Sequence, residues 1–483
     1  MTIIASMKRL IQQQLLNWHQ QKDRKPLILN GVRQCGKTYS LQSFGEQHFA
    51  TTHYLNFELF LDLPKIFEKD LVPKRLVQEI GFYLNCDIDI TRDLLIFDEI
   101  QACPAALTSL KYFNEQMPEL ALCSAGSLLG VTLNQGSFPV GQVNHLHLYP
   151  LDFIEFLLAI GEDKLADLLI HCDNRTDIPL MAHERLWERM KWYWIVGGLP
   201  EAVKAFRDKQ DNLLQAFQAA RDKQQDLIYA YFGDITKHAG KVNAMHIDRC
   251  WHAVSTQLAS TQDTSAKRFQ FKDIIPGIDR YSRLSSAIDW LITAGLIIKV
   301  PLIKRPELPL AAYADEARFK CFMFDIGILG AMNKITPQTI LQYDFGTYKG
   351  YYAENFVAQN LLAGGQSDVY SWFDGRNEVE FVIDHENSIL PLEVKAGHVT
   401  RAKSLSIYND KYHPSYMTIA SGHPLQLDNR NRIHRYPLYL TGCFPLPEAD
   451  DRQVVGSLLP WSEIHCSRQL HFITFKWQKK LVK

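Results

Sequence analysis

The chain has 483 residues, 46% of them hydrophobic and 22% charged. That composition excludes a disordered or fibrous chain, and the length is that of about three globular domains. Its 52 Lys and Arg against 53 Asp and Glu leave a net charge of −1, which excludes a histone-like binder held to nucleic acid by bulk charge and leaves room for a local basic patch.

The nine cysteines are scattered and form no C-x-x-C pair, so their spacing suits neither a zinc site nor a disulfide framework. The first residues carry no signal-peptide core, and no run of eighteen apolar residues could span a membrane. A cytoplasmic chain with reduced thiols is the expectation.

Residues 27–30 are an apolar run that ends on Gly31-Val32-Arg33-Gln34-Cys35-Gly36-Lys37-Thr38. Strand, glycine loop and helix in that order are the setting of a phosphate-binding loop. Glycines let the loop's N–H groups turn toward phosphate oxygens, Lys37 reaches the β- and γ-phosphates, and Thr38 holds Mg²⁺. A chance match in a glycine turn is the bland alternative. A second motif argues against it: residues 94–97 are apolar and end on Asp98-Glu99. Acids at the C-terminal end of a parallel strand lie where α/β proteins bind ligands. Asp98 is expected to support the Mg²⁺ of ATP and Glu99 to polarise the attacking water. A small-molecule kinase has no need of that second acid, so hydrolysis is the better reading. The strand at 120–124 leads to Ser127, a candidate γ-phosphate sensor.

Together with Asp98-Glu99-Ile100-Gln101, Ala125-Gly126-Ser127 and Pro139-Val140-Gly141 leading into Tyr149-Pro150-Leu151-Asp152-Phe153, this loop resembles one family. It is the widespread prokaryotic group of AAA-type ATP-binding proteins with a C-terminal domain of unknown function, and the resemblance covers about residues 5–445. The resemblance implies ATP and Mg²⁺ as cofactors. Gln142 stands where a basic residue is frequent in that group, so an arginine finger would have to come from elsewhere.

Apolar residues at helical spacing occupy 153–160, 184–196 and 213–231, and Gly197-Gly198-Leu199-Pro200-Glu201 interrupts them. Trp192, Tyr193 and Trp194 read as core or interface aromatics rather than a base-stacking platform. His238 has no metal-ligand spacing around it. Helical patterns at 247–260, 269–276 and 282–294, followed by strand-like runs at 296–300 and 319–324, suggest a winged helix. Its third helix would offer Arg280 and Arg283 to DNA in the major groove, with Asp279 and Asp289 opposing. Protein contact is the open alternative. Gly327, in Asp325-Ile326-Gly327, reads as a packing or turn device.

The C-terminal part holds a second constellation. Glu354 lies on a helical segment at 351–362, Glu378 and Glu380 on a strand at 378–383, and Glu393 and Lys395 on the next strand. Strand alternation puts Glu393 and Lys395 on one face, and a hairpin would bring Glu380 beside them. Glu354, Glu380 and Glu393 are the expected metal ligands, with Glu393 and Lys395 as catalytic groups. The spacing resembles the core of restriction-endonuclease-like PD-(D/E)xK nucleases, which the family's C-terminal domain is thought to share. Glu380 replaces the usual Asp. The bland alternative is a charged cross-strand face.

The expected architecture is multidomain α/β. It comprises an AAA-type P-loop domain at 1–155, a helical lid at 156–243, a winged helix at 244–340, a restriction-endonuclease-like domain at 341–445 and an appended tail at 446–483. The expected function is an ATP-hydrolysing switch on nucleic acid, carrying a metal-dependent nuclease-like domain. The alternative is an ATP-gated protein-interaction scaffold with a degenerate nuclease-like domain. DNA is the expected partner and a membrane is not; monomer and homo-oligomer both stay open.

Overall fold

A computed structural model describes residues 7–126, 139, 141–239, 241–260, 268–277, 281–342, 349–395 and 403–449. The apolar runs read from the sequence form a parallel five-stranded sheet: β1 (Leu27–Asn30), β2 (Thr52–Asn56), β3 (Leu94–Asp98), β4 (Ala121–Ala125) and β5 (Asn144–His147), in the order β2-β3-β4-β1-β5. Every residue of β3 and β4 is buried, as a parallel sheet covered on both faces requires. Alternate residues feed two cores. Ile28, Leu95 and Phe97 pack with α3 (Pro73–Leu84) and α4 (Pro104–Gln116). Leu27, Leu29 and Ile96 pack with α1 (Ile11–Gln20) and α2 (Lys37–His48).

That second core continues without a break through the helical segment and into the C-terminal part as far as Leu446, while Ile303, Trp372, Val382 and Tyr408 belong to a separate cluster. The helical segment contains α5 (Phe153–Ala159), α6 (Asp163–Ile170), α7 (Leu180–Val196), α8 (Pro200–Arg207) and α9 (Leu213–Ala239). The aromatic trio on α7 is buried. The Tyr193 hydroxyl donates to Leu151 O at 2.6 Å and accepts from Gln359 at 2.7 Å, so these rings join segments rather than face solvent.

Next come α10 (Lys241–Ala259), α11 (Tyr281–Thr293) and the hairpin of β6 (Ile297–Ile303) and β7 (Ala314–Met323). The helix expected at 269–276 does not form. Phe269 N donates to Phe319 O of β7 at 2.8 Å, and the Phe319 ring is stacked against Phe269 and met edge-on by Phe271. Pairing with a strand thus wins over local helical spacing, and Pro276-Gly277 ends the segment in a turn.

After α12 (Ile326–Met332), α13 (Pro337–Leu341) and α14 (Lys349–Ala363) come β8 (Val369–Phe373), β9 (Glu378–His385), β10 (Ser388–Val394), α15 (Lys403–Tyr412), β11 (Met417–Ser421), β12 (Gln426–Asp428) and β13 (Ile433–Pro437). β9 and β10 form the expected hairpin, turned by Glu386 and Asn387, both at positive φ, the signature of a two-residue hairpin loop matched to strand twist. Eight strands share one sheet, in the order β12-β13-β11-β10-β9-β8-β6-β7. β6 pairs in parallel with β8 through Leu302–Ser371 and Ile303–Trp372. The sheet therefore runs across the boundary expected between residues 340 and 341. The first residues of the expected tail are anchored, with Pro447 O accepting from Asn174 N at 3.1 Å; residues 450–483 lie outside the described ones. No helix among the described residues is long and apolar enough to cross a membrane.

Candidate nucleotide site and a carboxylate cluster

The loop at 31–38 needs its glycines for space and dihedral angle. A Cβ on Gly31 would stand 2.3 Å from Leu148 O, and Gly36 opens α2 with φ 96°. Lys37 Nζ donates to Gly31 O and Val32 O, each at 2.9 Å. The Cys35 thiol lies 3.4 Å from Leu148 O, and Gln34 adopts a positive φ. Thr38 Oγ1 donates to Asp98 Oδ2 at 2.8 Å, and the Tyr54 hydroxyl donates to the same oxygen at 2.7 Å. Strand pairing sets this up, because β3 lies between β2 and β4 and carries Asp98 to the edge of the loop. A hydroxyl in contact with a carboxylate beside a phosphate-type loop is a donor set that fits Mg²⁺.

Glu99 follows in the left-handed region at φ 49°, held by Gln101 Nε2 at 2.5 Å. Burial pushes its carboxyl above the ordinary range; the Gln101 bond opposes this and the Asp98 charge adds to it. The carboxyl is thus a better proton acceptor near neutral pH than an exposed glutamate. Ser127 lies outside the described residues. Gln142 accepts from Asn114 at 2.5 Å.

Two groups that local patterns did not reveal hold this loop. Arg9 is buried and donates to Cys35 O at 2.8 Å, Tyr149 O at 2.7 Å and Glu155 Oε1 at 3.0 Å. Glu155 also closes a capping box with Asp152 at the start of α5, and that D-x-x-E spacing was the one available signal. On the other side, Arg33 forms an ion pair with Asp234, and its carbonyl accepts from the Tyr231 hydroxyl at 2.8 Å. Both partners lie on α9. At the far end of that helix Arg221 donates to Gly327 O at 2.8 Å. Thirteen residues separate Arg221 from Asp234, about 20 Å of helix. The two glycine motifs meet there. Asp325 accepts from Gly198 N at 2.7 Å and Ile328 N at 2.9 Å, and a Cβ on Gly327 would lie 2.8 Å from the Gly197 backbone. Gly327 is a packing device, as read from the sequence. Complete burial pushes Asp325 up to about 6.

The C-terminal acids also converge. Glu354, Glu380 and Glu393 are all buried, and Glu380 Oε2 accepts from Val394 N at 3.1 Å. Lys395 Nζ lies 2.5 Å from Glu393. Burial, and then the Glu380 charge, push Glu393 up to about 8. A residue not foreseen stands among them: Lys320 of β7, buried, contacts Glu354 Oε2 at 3.2 Å and Glu378. Among the described residues no group of three or more His, Cys, Asp or Glu side chains is arranged to hold a metal ion. Glu354, Glu380 and Glu393, read from the sequence as metal ligands, are brought together in the interior with two ammonium groups beside them, Lys320 at Glu354 and Lys395 at Glu393.

Residues 23–157 match the family described as an AAA domain. The N-terminal unit is an AAA-type P-loop domain. Residues 188–339 and 349–439 match two domains of unknown function, DUF8612 and DUF4143. No curated protein matches the chain. Among solved structures, similarity extends to the Aeropyrum pernix ORC1 protein in complex with DNA (13% identity, TM-score 0.27, 67% of this chain and 90% of that one). It extends also to the Thermotoga maritima RuvB Holliday junction branch migration motor (12%, 0.29, 61% and 90%) and to Drosophila ORC bound to DNA (15%, 0.25, 67% and 93%). These likenesses are remote and assign no role. The chain is a multidomain α/β protein whose AAA-type P-loop domain is built on a parallel sheet.

Proposed function

We propose that this chain is an ATP-hydrolysing switch whose output is the C-terminal sheet and whose target is nucleic acid. The observation that carries the hydrolysis is the contact of Thr38 with Asp98 beside Lys37, with a buried Glu99 as the next residue. Lys37 exchanges its hold on Gly31 O and Val32 O for the β- and γ-phosphates of ATP. Thr38 and Asp98 would hold Mg²⁺, which would supply charge neutralisation at the phosphates. Glu99 orients a water and accepts its proton, and Gln101 keeps the carboxylate in place. Arg33 sits in the loop that must rearrange and is tied to α9, so a change at the phosphates is passed to the contact between α9 and Gly327. The geometry at Lys37 and Glu99 is tested by ATP binding and turnover in Lys37→Ala and Glu99→Gln.

What supports nucleic acid as the target is the helix–helix–hairpin run α10–α11–β6–β7, with Arg283 exposed near the start of α11; Arg280 lies outside the described residues. We read 349–437 as a restriction-endonuclease-like unit on its order of helix, three antiparallel strands, helix and parallel strand. A second reading, an ATP-gated protein scaffold, is favoured by Lys320 inside the carboxylate cluster. Binding of random duplex DNA at several salt concentrations, with and without ATP, separates the two. Nucleic-acid binding through phosphates weakens steeply with salt, and no binding at low salt overturns the first reading.

A further inference from the structure

Carboxyls removed from water either keep a proton or take a counter-charge, and the identity of that charge decides what a buried acidic cluster can do. Glu354, Glu380 and Glu393 are 1%, 2% and 2% exposed, and Lys320 is 1% exposed. In nuclease-like folds the counter-charge of such a trio is a divalent ion reached from solvent. Here it comes from the chain. Lys320 Nζ lies 3.2 Å from Glu354 and contacts Glu378, Lys395 Nζ lies 2.5 Å from Glu393, and one Glu380 oxygen is taken by Val394 N.

We propose that Lys320 is the resident cation of this cluster, that it excludes a divalent ion from the C-terminal domain, and that the cluster serves instead to lock the β6–β7 hairpin onto α14 and β9. A metal bound by Glu354, Glu380 and Glu393 would stand against the Lys320 ammonium with little water between them, a like-charge contact that low dielectric makes severe. The Lys320 side chain is enclosed, 1% exposed, and the strand that carries it is paired to β6 with Val300 opposite Lys320 and Lys299–Cys321 and Pro301–Phe319 on either side, so retreat of the ammonium would require the packing around β7 to open. The lock explains why an acid on α14 and an acid on β9 meet a base on β7. Three segments distant in sequence are held by one buried ammonium, and such a contact fixes their relative placement more than it adds net stability. The inference deepens the scaffold reading and is independent of ATP chemistry.

The experiment is a titration of the full-length protein with Mn²⁺ alone, followed by electron paramagnetic resonance. Asp98→Asn is present throughout to remove the P-loop ligand. The expected result is no saturable Mn²⁺ site while Lys320 is intact, and one saturable site in Lys320→Met that Glu393→Gln abolishes. Saturable binding with Lys320 intact, lost in Glu393→Gln, would overturn the proposal. A folded Lys320→Met protein that binds no Mn²⁺ would overturn it too, since Lys320 would then not be what keeps the ion out. If Lys320→Met does not fold, the comparison of the Lys320-containing protein with Glu393→Gln still decides. Failure of ATP binding in a separate assay bears on the P-loop reading and not on this one.

Discussion

The Tyr231 hydroxyl donates to the main-chain carbonyl of Arg33 at 2.8 Å, 198 residues away in sequence. A helix outside the P-loop sheet thus grips the backbone of the phosphate loop itself, beside the Arg33–Asp234 ion pair. Tyr231→Phe removes only that hydrogen bond. It should lower unfolding stability by about 1 kcal/mol while leaving ATP affinity close to that of the parent. Its diagnostic effect is on coupling: hydrogen exchange over 325–332 should respond to ATP in the parent and respond less in Tyr231→Phe. An identical ATP response in both proteins would remove α9 from the transmission path.

Removing the Lys37 ammonium takes away the main counter-charge of the β- and γ-phosphates. Lys37→Ala should show no ATP binding by calorimetry. Glu99→Gln should bind ATP and lose turnover by roughly 10²–10⁴-fold, the usual contribution of a positioned acid–base group. Equal turnover in Glu99→Gln and the parent removes Glu99 from the mechanism.

Arg9 is a buried cation whose carboxylate partner is Glu155, 3.0 Å away. Arg9→Met leaves Glu155 buried beside Asp152 with no cation, a loss on the order of 3–5 kcal/mol. Urea unfolding followed by tryptophan fluorescence measures it. The P-loop should loosen along with it, because the same guanidinium holds Cys35 O.

Asp325 has its pKa raised from 3.8 to about 6 by complete burial. The folded state therefore holds this proton over a range in which the unfolded chain has released it. Stability from this group is full below the unfolded value and is lost as pH rises from about 4 to about 6, then stays level. The change amounts to roughly 3 kcal/mol. Asp325→Asn cannot titrate, so its stability relative to the parent should improve across that window. A difference between the two proteins that does not vary from pH 4 to pH 7 contradicts the assignment.

If Arg283 contacts phosphate, Arg283→Ala should reduce the salt slope of DNA binding by about one unit without altering ATP turnover. An unchanged slope directs attention to protein partners.

The strongly local features were legible in the sequence: the apolar runs that became β1, β3 and β4, the glycine loop, the acids ending β3, and the β9–β10 hairpin with its alternating Glu and Lys. Each is set by side-chain periodicity or by backbone freedom within a few residues, and local rules suffice there. The tertiary structure decided what depends on partners far along the chain. The 269–276 segment has helical spacing, yet an open strand edge at Phe319 offered its backbone a better partner. Hairpin β6–β7 read as a wing, yet β6 found β8 and joined the C-terminal sheet. Lys320 carried no motif at all. Its meaning comes from two acids, Glu354 brought to it by a helix and Glu378 by a strand, and the cost of burying charge made that meeting decisive: a carboxylate that stays ionised away from water must take the cation the fold delivers.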